Sequence, residues 1–329
     1  MQTLNMITDT EEISIAQIEG DYKDPIRRFI FSTPSTCEVV NKPELMGVAY
    51  TEAIEKGMTS FLKAFKDQLP SDIAEKDVNV LNFLRGGLNF GIRNALSLAY
   101  NWNLHGSTFI SSQRNKDEDG RWYVSEDSYR KSTMGRGSVV FCGDVVATGV
   151  TLDSGLQTLT KILEESDASI RHLVFFTIGC HKTEKILEKY FAIWKERFKD
   201  FEGIDVVYIE GKFHLADSKT TTTIKLQGTD LLRREPVLMP AFIAHQEQNV
   251  RYALERCTIY DAGSRAFDVA EYKEDVHQYW TEVQKLAADG MTTTQYLEER
   301  YPEASDSLKA KAKEVSLTEI AEEKVAFFT

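Results

Sequence analysis

VVFCGDVVATGVTLDSG (residues 139–155) begins as an apolar run, carries one carboxylate at Asp144, and passes through Ala-Thr-Gly-Val-Thr into a helical pattern. Leu152, Leu156, Leu159, Ile162 and Leu163 recur at helical spacing, so the stretch reads as buried strand, tight turn and helix. In such a turn the free backbone N–H groups and the positive end of the helix dipole converge on one point, which favours an anion. Gly149 lets the backbone approach that anion closely, and the Thr148 and Thr151 hydroxyls add donors. Asp144 at the lip would repel a phosphate unless it serves another group, such as sugar hydroxyls. An acid at a strand end followed by a phosphate cradle suits a ribose 5-phosphate.

The same rhythm extends outward. Short apolar runs at 78–84, 107–112, 138–143, 172–178 and 205–211 are separated by helical patterns, and their continuous apolarity indicates strands covered on both faces. The fold class expected is therefore α/β, a parallel sheet flanked by helices. Further helices are predicted over 46–65 and 183–198. Pro25, Pro34 and Pro43 break up the first 45 residues, so 1–75 reads as a helical or irregular N-terminal segment. A core over 76–270 follows, with a β-rich insertion at 212–256, and 271–329 reads as a helical C-terminal extension.

With 329 residues, 42% of them hydrophobic, the chain can bury a substantial core. Its net charge of −12 argues against nonspecific binding to nucleic acid or to an anionic membrane, since both require a basic surface. No apolar run reaches the roughly 18–20 residues of a membrane span, and the acidic start MQTLNMITDTEE is unlike a signal peptide, so a cytoplasmic location is expected. Cys37, Cys142, Cys180 and Cys257 form no CxxC pair, and the six histidines show no HExxH spacing, so no metal held by protein ligands alone is expected. Reduced, buried thiols are.

A second loop carries similar chemistry. FLRGGLNFG (83–91) also ends an apolar strand and opens a helix, with Arg85 ahead of Gly86 and Gly87. The glycines clear the amides for an anion, and Arg85 is a suitable phosphate partner. Two anion sites at neighbouring strand ends would hold a ligand with phosphates at both ends. A third segment, IYDAGSRAF (259–267), lies far downstream.

Together these segments resemble the type I phosphoribosyltransferases and, within that family, the uracil enzymes. The resemblance covers about 78–180 and 257–268. It implies that Asp144, Val146, Ala147, Thr148, Gly149, Val150 and Thr151 bind the ribose 5-phosphate end of phosphoribosyl pyrophosphate (PRPP), and that Arg85, Gly86 and Gly87 bind its pyrophosphate. FISSQRNKDEDGRWYVSEDSYRK (109–131) is similar to the family's flexible hairpin, placing Arg114, with Lys131 as a weaker candidate, on the pyrophosphate. IYDAGSR implies base contacts by Tyr260, Asp261, Ala262 and Gly263, with Arg265 a structural or phosphate-side neighbour. Asp144, Arg85 and Arg114 are then the catalytic candidates.

The resemblance further implies Mg²⁺ carried by the substrate, a nucleobase acceptor of the uracil type, and a homodimer. It departs at Gly143, where the family's motif usually has an acid. Two other functions stay open: a regulator that senses PRPP or a nucleotide without turnover, and an interaction protein working through its acidic C-terminal helices.

Overall fold

The computed structural model describes residues 2–70, 72–84, 86–111, 113–116, 122–126, 129–224, 230–256 and 262–329; of these, 113–116, 122–126, 235–236 and 262 are described by backbone alone. In chain order the elements begin with β1 (Thr3–Asp9), β2 (Ser14–Glu19), β3 (Arg27–Ser32), α1 (Pro34–Asn41) and α2 (Gly47–Phe65). Next come β4 (Val78–Leu84), a 3-10 turn (Gly86–Phe90), α3 (Ile92–Tyr100), β5 (Gly106–Ser111), β6 (Gln113–Lys116), β7 (Trp122–Glu126) and β8 (Arg130–Lys131). The remainder is β9 (Ser138–Val146), α4 (Val150–Glu165), β10 (Ile170–Cys180), α5 (His181–Arg197), β11 (Gly203–Leu215), β12 (Leu231–Leu238), α6 (Pro240–Gln248), α7 (Val250–Leu254) and α8 (Ala262–Phe267), then α9 (Val269–Ala288), α10 (Thr293–Arg300), α11 (Asp306–Lys313) and α12 (Leu317–Phe328).

The main sheet runs β1-β2-β3-β11-β10-β9-β4-β5-β8, with β12 paired to β11. Six central strands, β3, β11, β10, β9, β4 and β5, are mutually parallel. Five of them are the apolar runs predicted from the sequence. From β4 the chain steps outward to β5, and from β9 it steps the other way through β10 to β11. Right-handed crossovers in opposite directions put α3 on one face and α4 and α5 on the other. The order of the sheet thus reverses between β4 and β9, the kind of crevice where open α/β sheets bind ligands.

The expectation of a helical or irregular start fails over its first half. Thr3–Asp9 and Ser14–Glu19 form a hairpin whose second strand pairs antiparallel with β3, and β3 lies parallel to β11. Two arginines open β3, a poor signal for a buried strand. Arg27 is met from far along the chain, its Nη2 lying 2.7 Å from Asp205 Oδ2, and Arg28 from nearby, its Nη2 lying 2.8 Å from Oδ2 of Asp24.

Helix α2 buries Tyr50, Ile54, Met58, Phe61, Leu62 and Phe65. The Phe61 ring meets Phe31 of β3 at 4.7 Å and Phe176 of β10 at 5.6 Å. On the opposite face Trp194 Nε1 donates to Thr160 Oγ1 at 2.9 Å, joining α5 to α4. A Cβ added at Gly155 in α4 would lie within 2.7 Å of Phe83 ring carbons. Gly155→Ala is therefore expected to lower stability by about 1–2 kcal/mol in a denaturant titration, overpacking exceeding the roughly 1 kcal/mol gain in helix propensity.

The insertion is mixed: it completes β11, supplies β12, and ends in α6 and α7. Residues 220–223, within the insertion expected to be β-rich, form no strand, and Thr220 and Thr222 are buried. Helices α9 to α12 make up the C-terminal extension, and Trp280 and Val283 of α9 are buried with Ile320 and Ala321 of α12 in the core.

Candidate functional site

Strands β4 and β9 pair in parallel through Leu81 and Cys142, so their C-terminal ends leave the sheet side by side. Beyond β4 the turn Gly86–Phe90 folds back over the end of β9. A Cβ on Gly87 would sit 3.2 Å from the Gly143 carbonyl oxygen and 3.4 Å from Asn82 Cα, so glycine permits this close approach of two backbones. Phe90, fully buried, lays its ring on Gly143; a Cβ there would fall 2.5–2.9 Å from three ring carbons. A side chain at 143 is thus excluded for a physical reason: its space belongs to Phe90.

Asp144, one residue on, is 7% exposed and sits beside Thr177 of β10. Its Oδ1 accepts from the Val145 N–H at 2.9 Å. Burial first, and then the Asp144 carboxylate, raise the Cys142 thiol well above its ordinary pKa, so this cysteine is an inert core residue. Cys180 is likewise pushed up by burial, and its Sγ donates to the Ala147 carbonyl at 3.3 Å, tying β10 to the turn.

Gly149 stands at φ +81°, in the left-handed region, and caps α4 with no side-chain hydrogen bond. Its carbonyl accepts from Asp153 N–H at 2.9 Å. The N–H groups of Thr151 and Leu152 meet no acceptor among the described residues, as befits a first helical turn. Ile186 of α5 backs Gly149 from the Cβ side. Cations gather next to this turn at the start of α5: burial, and then Lys185, Lys182, His214 and Lys212, push His181 below its usual pKa. Of these, Lys212 is buried and paired with Glu184 at 2.8 Å, while Lys182 and Lys185 are more accessible.

Helix α8, which carries Ala262 and Gly263, packs against both the Gly86–Phe90 turn and α2. The described part of the third segment thus lies against the second, which in turn lies against β9. Arg265 proves to be structural: its guanidinium donates to the carbonyls of Leu45 (2.7 Å), Val39 (3.1 Å) and Lys42 (2.7 Å) at the end of α1, beneath the Tyr50 ring. The β6–β7 hairpin forms, with β7 against α4. Arg85, Tyr260 and Asp261 lie outside the described residues, as does the side chain of Arg114. Lys131 is exposed on the edge strand β8.

Sequence reasoning passed over Asn89. It is fully buried in the Gly86–Phe90 turn, and neither its carboxamide nitrogen nor its oxygen has a partner among the described residues. Its place two residues after the glycine pair was the available signal.

No family model matches the chain, and no curated protein does. Among solved structures it is similar to a hypoxanthine-guanine phosphoribosyltransferase of Bacillus anthracis, at 20% identity over 38% of this chain and 67% of that one, with a TM-score of 0.25. It is similar also to the hypoxanthine phosphoribosyltransferase of Trypanosoma cruzi complexed with the product IMP (18%; 60% and 93%; 0.26) and to the adenine phosphoribosyltransferase of Saccharomyces cerevisiae (13%; 40% and 72%; 0.25).

Proposed function

We propose that this chain transfers ribose 5-phosphate from PRPP to a nucleobase, with a uracil-like pyrimidine as the favoured acceptor, and releases pyrophosphate. One observation carries the reading: the Gly86–Phe90 turn lies on β9 at Gly143, one residue before Asp144 and the turn that follows it, where the strand order reverses, and α8 packs on that same Gly86–Phe90 turn. The amides of Gly149 to Leu152 and the hydroxyls of Thr148 and Thr151 would receive the 5-phosphate. Asp144 would accept from the ribose hydroxyls. Gly86 and Gly87, with Arg85 and Arg114, would hold the pyrophosphate, and Tyr260, Asp261, Ala262 and Gly263 the base.

A ring nitrogen of the base forms a bond to C1 of the ribose as the bond from C1 to the pyrophosphate oxygen breaks. The electron pair leaves with pyrophosphate, and the proton on the ring nitrogen passes to solvent. Positioning and charge stabilisation supply the rate. No group of three or more His, Cys, Asp or Glu able to hold a metal occurs among the described residues, and the one buried carboxylate of Asp144 suits Mg²⁺ brought in on the substrate's oxygens. Bound there, Mg²⁺ would neutralise leaving-group charge.

The test is PRPP-dependent pyrophosphate release across a panel of nucleobases with Mg²⁺, alongside direct PRPP binding. Thr148→Val/Thr151→Val is expected to weaken PRPP about thirtyfold, close to 1 kcal/mol for each lost hydroxyl. Tight PRPP binding without base consumption would identify a sensor instead. Unaltered affinity in the double variant would refute the cradle.

A further inference from the structure

We propose that the insertion and the C-terminal helices are a positioning scaffold for the acceptor half of the site, and that Lys324 and Arg300 are its positioning residues. The inference rests on the phosphoribosyl-transfer reading for its substrate. Its geometry stands independently.

Residues 252–256 precede the segment assigned to the base, and helix α8 carries its last two residues, Ala262 and Gly263. Residues 252–256 are gripped by buried side chains from regions outside the family resemblance, while α8 is held through its own Arg265. Arg233 of β12, fully buried, donates to three carbonyls at the end of α7: Tyr252 (3.1 Å), Ala253 (3.3 Å) and Glu255 (2.7 Å). Asp230, also fully buried, takes Arg256 Nε at 3.2 Å and Arg300 through two bonds of 3.1 and 3.0 Å. Burial alone would raise the Asp230 carboxyl, but Arg300 and Arg256 hold it below the usual range. Lys324 of α12, 8% exposed, ion-pairs with Glu255 and with Glu44 of the α1–α2 connection.

On the far side Arg265 bolts α8 to the end of α1, and Tyr272 OH donates to Pro43 O at 2.9 Å. Residues 39–45 are thus the common anchor: Lys324 reaches them through Glu44, and α8 through Arg265. Helix α12 therefore touches both supports of the acceptor side, and α8 transmits their position to the Gly86–Phe90 turn. Buried charges with several partners have steep positional preferences, so this arrangement fixes geometry more than it adds stability.

Wild type, Lys324→Met and Lys324→Arg are compared in PRPP-dependent consumption of whichever nucleobase the wild type accepts, and in amide hydrogen exchange without ligand. Lys324→Met is expected to raise the acceptor KM at least about tenfold and leave the PRPP KM within about twofold. Exchange in 262–268 should quicken about tenfold while 150–156 is unchanged, and Lys324→Arg should restore both. If Lys324→Met does not fold, Arg300→Lys, which keeps the charge and loses the two-pronged grip, is held to the same pattern. An unchanged acceptor KM, or quickened exchange spread evenly along the chain, overturns the proposal. A wild type that consumes no base defeats the transferase reading alone, and the exchange data then decide this one.

Discussion

Gly143→Glu is expected to destabilise the protein by about 3 kcal/mol or more, although it restores the acid that the resembling family usually carries there. Two costs add. The new Cβ would enter the Phe90 ring, which is fully buried and has no free direction to retreat, at about 1–3 kcal/mol for overpacking. The carboxylate would also lie at a buried backbone position and lose hydration, at about 1–3 kcal/mol more. Urea titration measures the sum. The double variant Gly143→Glu/Phe90→Ala separates this explanation from general fragility: removing the ring opens the space the new side chain needs. The two changes should then be non-additive by at least about 1 kcal/mol, in the favourable direction. Strict additivity would show that Phe90 does not exclude an acid at 143.

The second large effect concerns pH. Glu210 of β11 is fully buried, stands at φ +64°, and takes hydrogen bonds from Thr36 and from Cys37 Sγ at 3.4 Å. Burial drives its carboxyl from 4.5 up to about 7, against the lowering effect of the Ser32, Thr36, Cys37 and Thr33 donors. A raised folded-state value means that the native protein holds the proton more tightly than the unfolded chain. The stabilisation is fully present below about pH 4.5 and is lost as pH rises through about 7. The full span is about 3 kcal/mol at 1.36 kcal/mol per unit. Glu210→Gln should therefore match wild type near pH 4.5 and exceed it by up to that amount near pH 8, read as the difference between two denaturation series. A constant difference across the range would sink the assignment.

Much of the fold could be read directly. The five central runs are continuous apolar segments, and being covered on both faces leaves such a strand no polar alternation to hide it. Helix α2 was equally plain from Ile54, Met58, Phe61, Leu62 and Phe65, although Val48 at its start is exposed and Tyr50 takes the buried place instead. What escaped notice depended on partners far along the chain. β3 opens with Arg27 and Arg28; Asp24 is a local partner for Arg28, but nothing local reveals that Asp205 will neutralise Arg27 or that Glu184 will approach Arg28. Arg233, Arg256 and Arg300 look like solvated surface charges in sequence, yet Asp230 and a set of helix-end carbonyls bury all three.

The site divided along the same line. Thr148, Gly149 and Asp144 announce themselves through local backbone demands. The packing of Phe90 on Gly143 is a contact between a turn and a strand more than fifty residues later and left no local trace.

The placement of β3 beside β11 has a consequence for how this protein can be divided. A piece cut to begin at residue 76 would retain all five apolar strands and every loop assigned to the ligand, and would look complete. It would nevertheless lay bare the backbone of Asp205 to Ile209 along one whole margin, together with Asp205 itself, stripped of Arg27. Such a margin recruits other chains. Strand β3, which carries no residue assigned to the ligand, covers that margin, and its loss is expected to favour self-association.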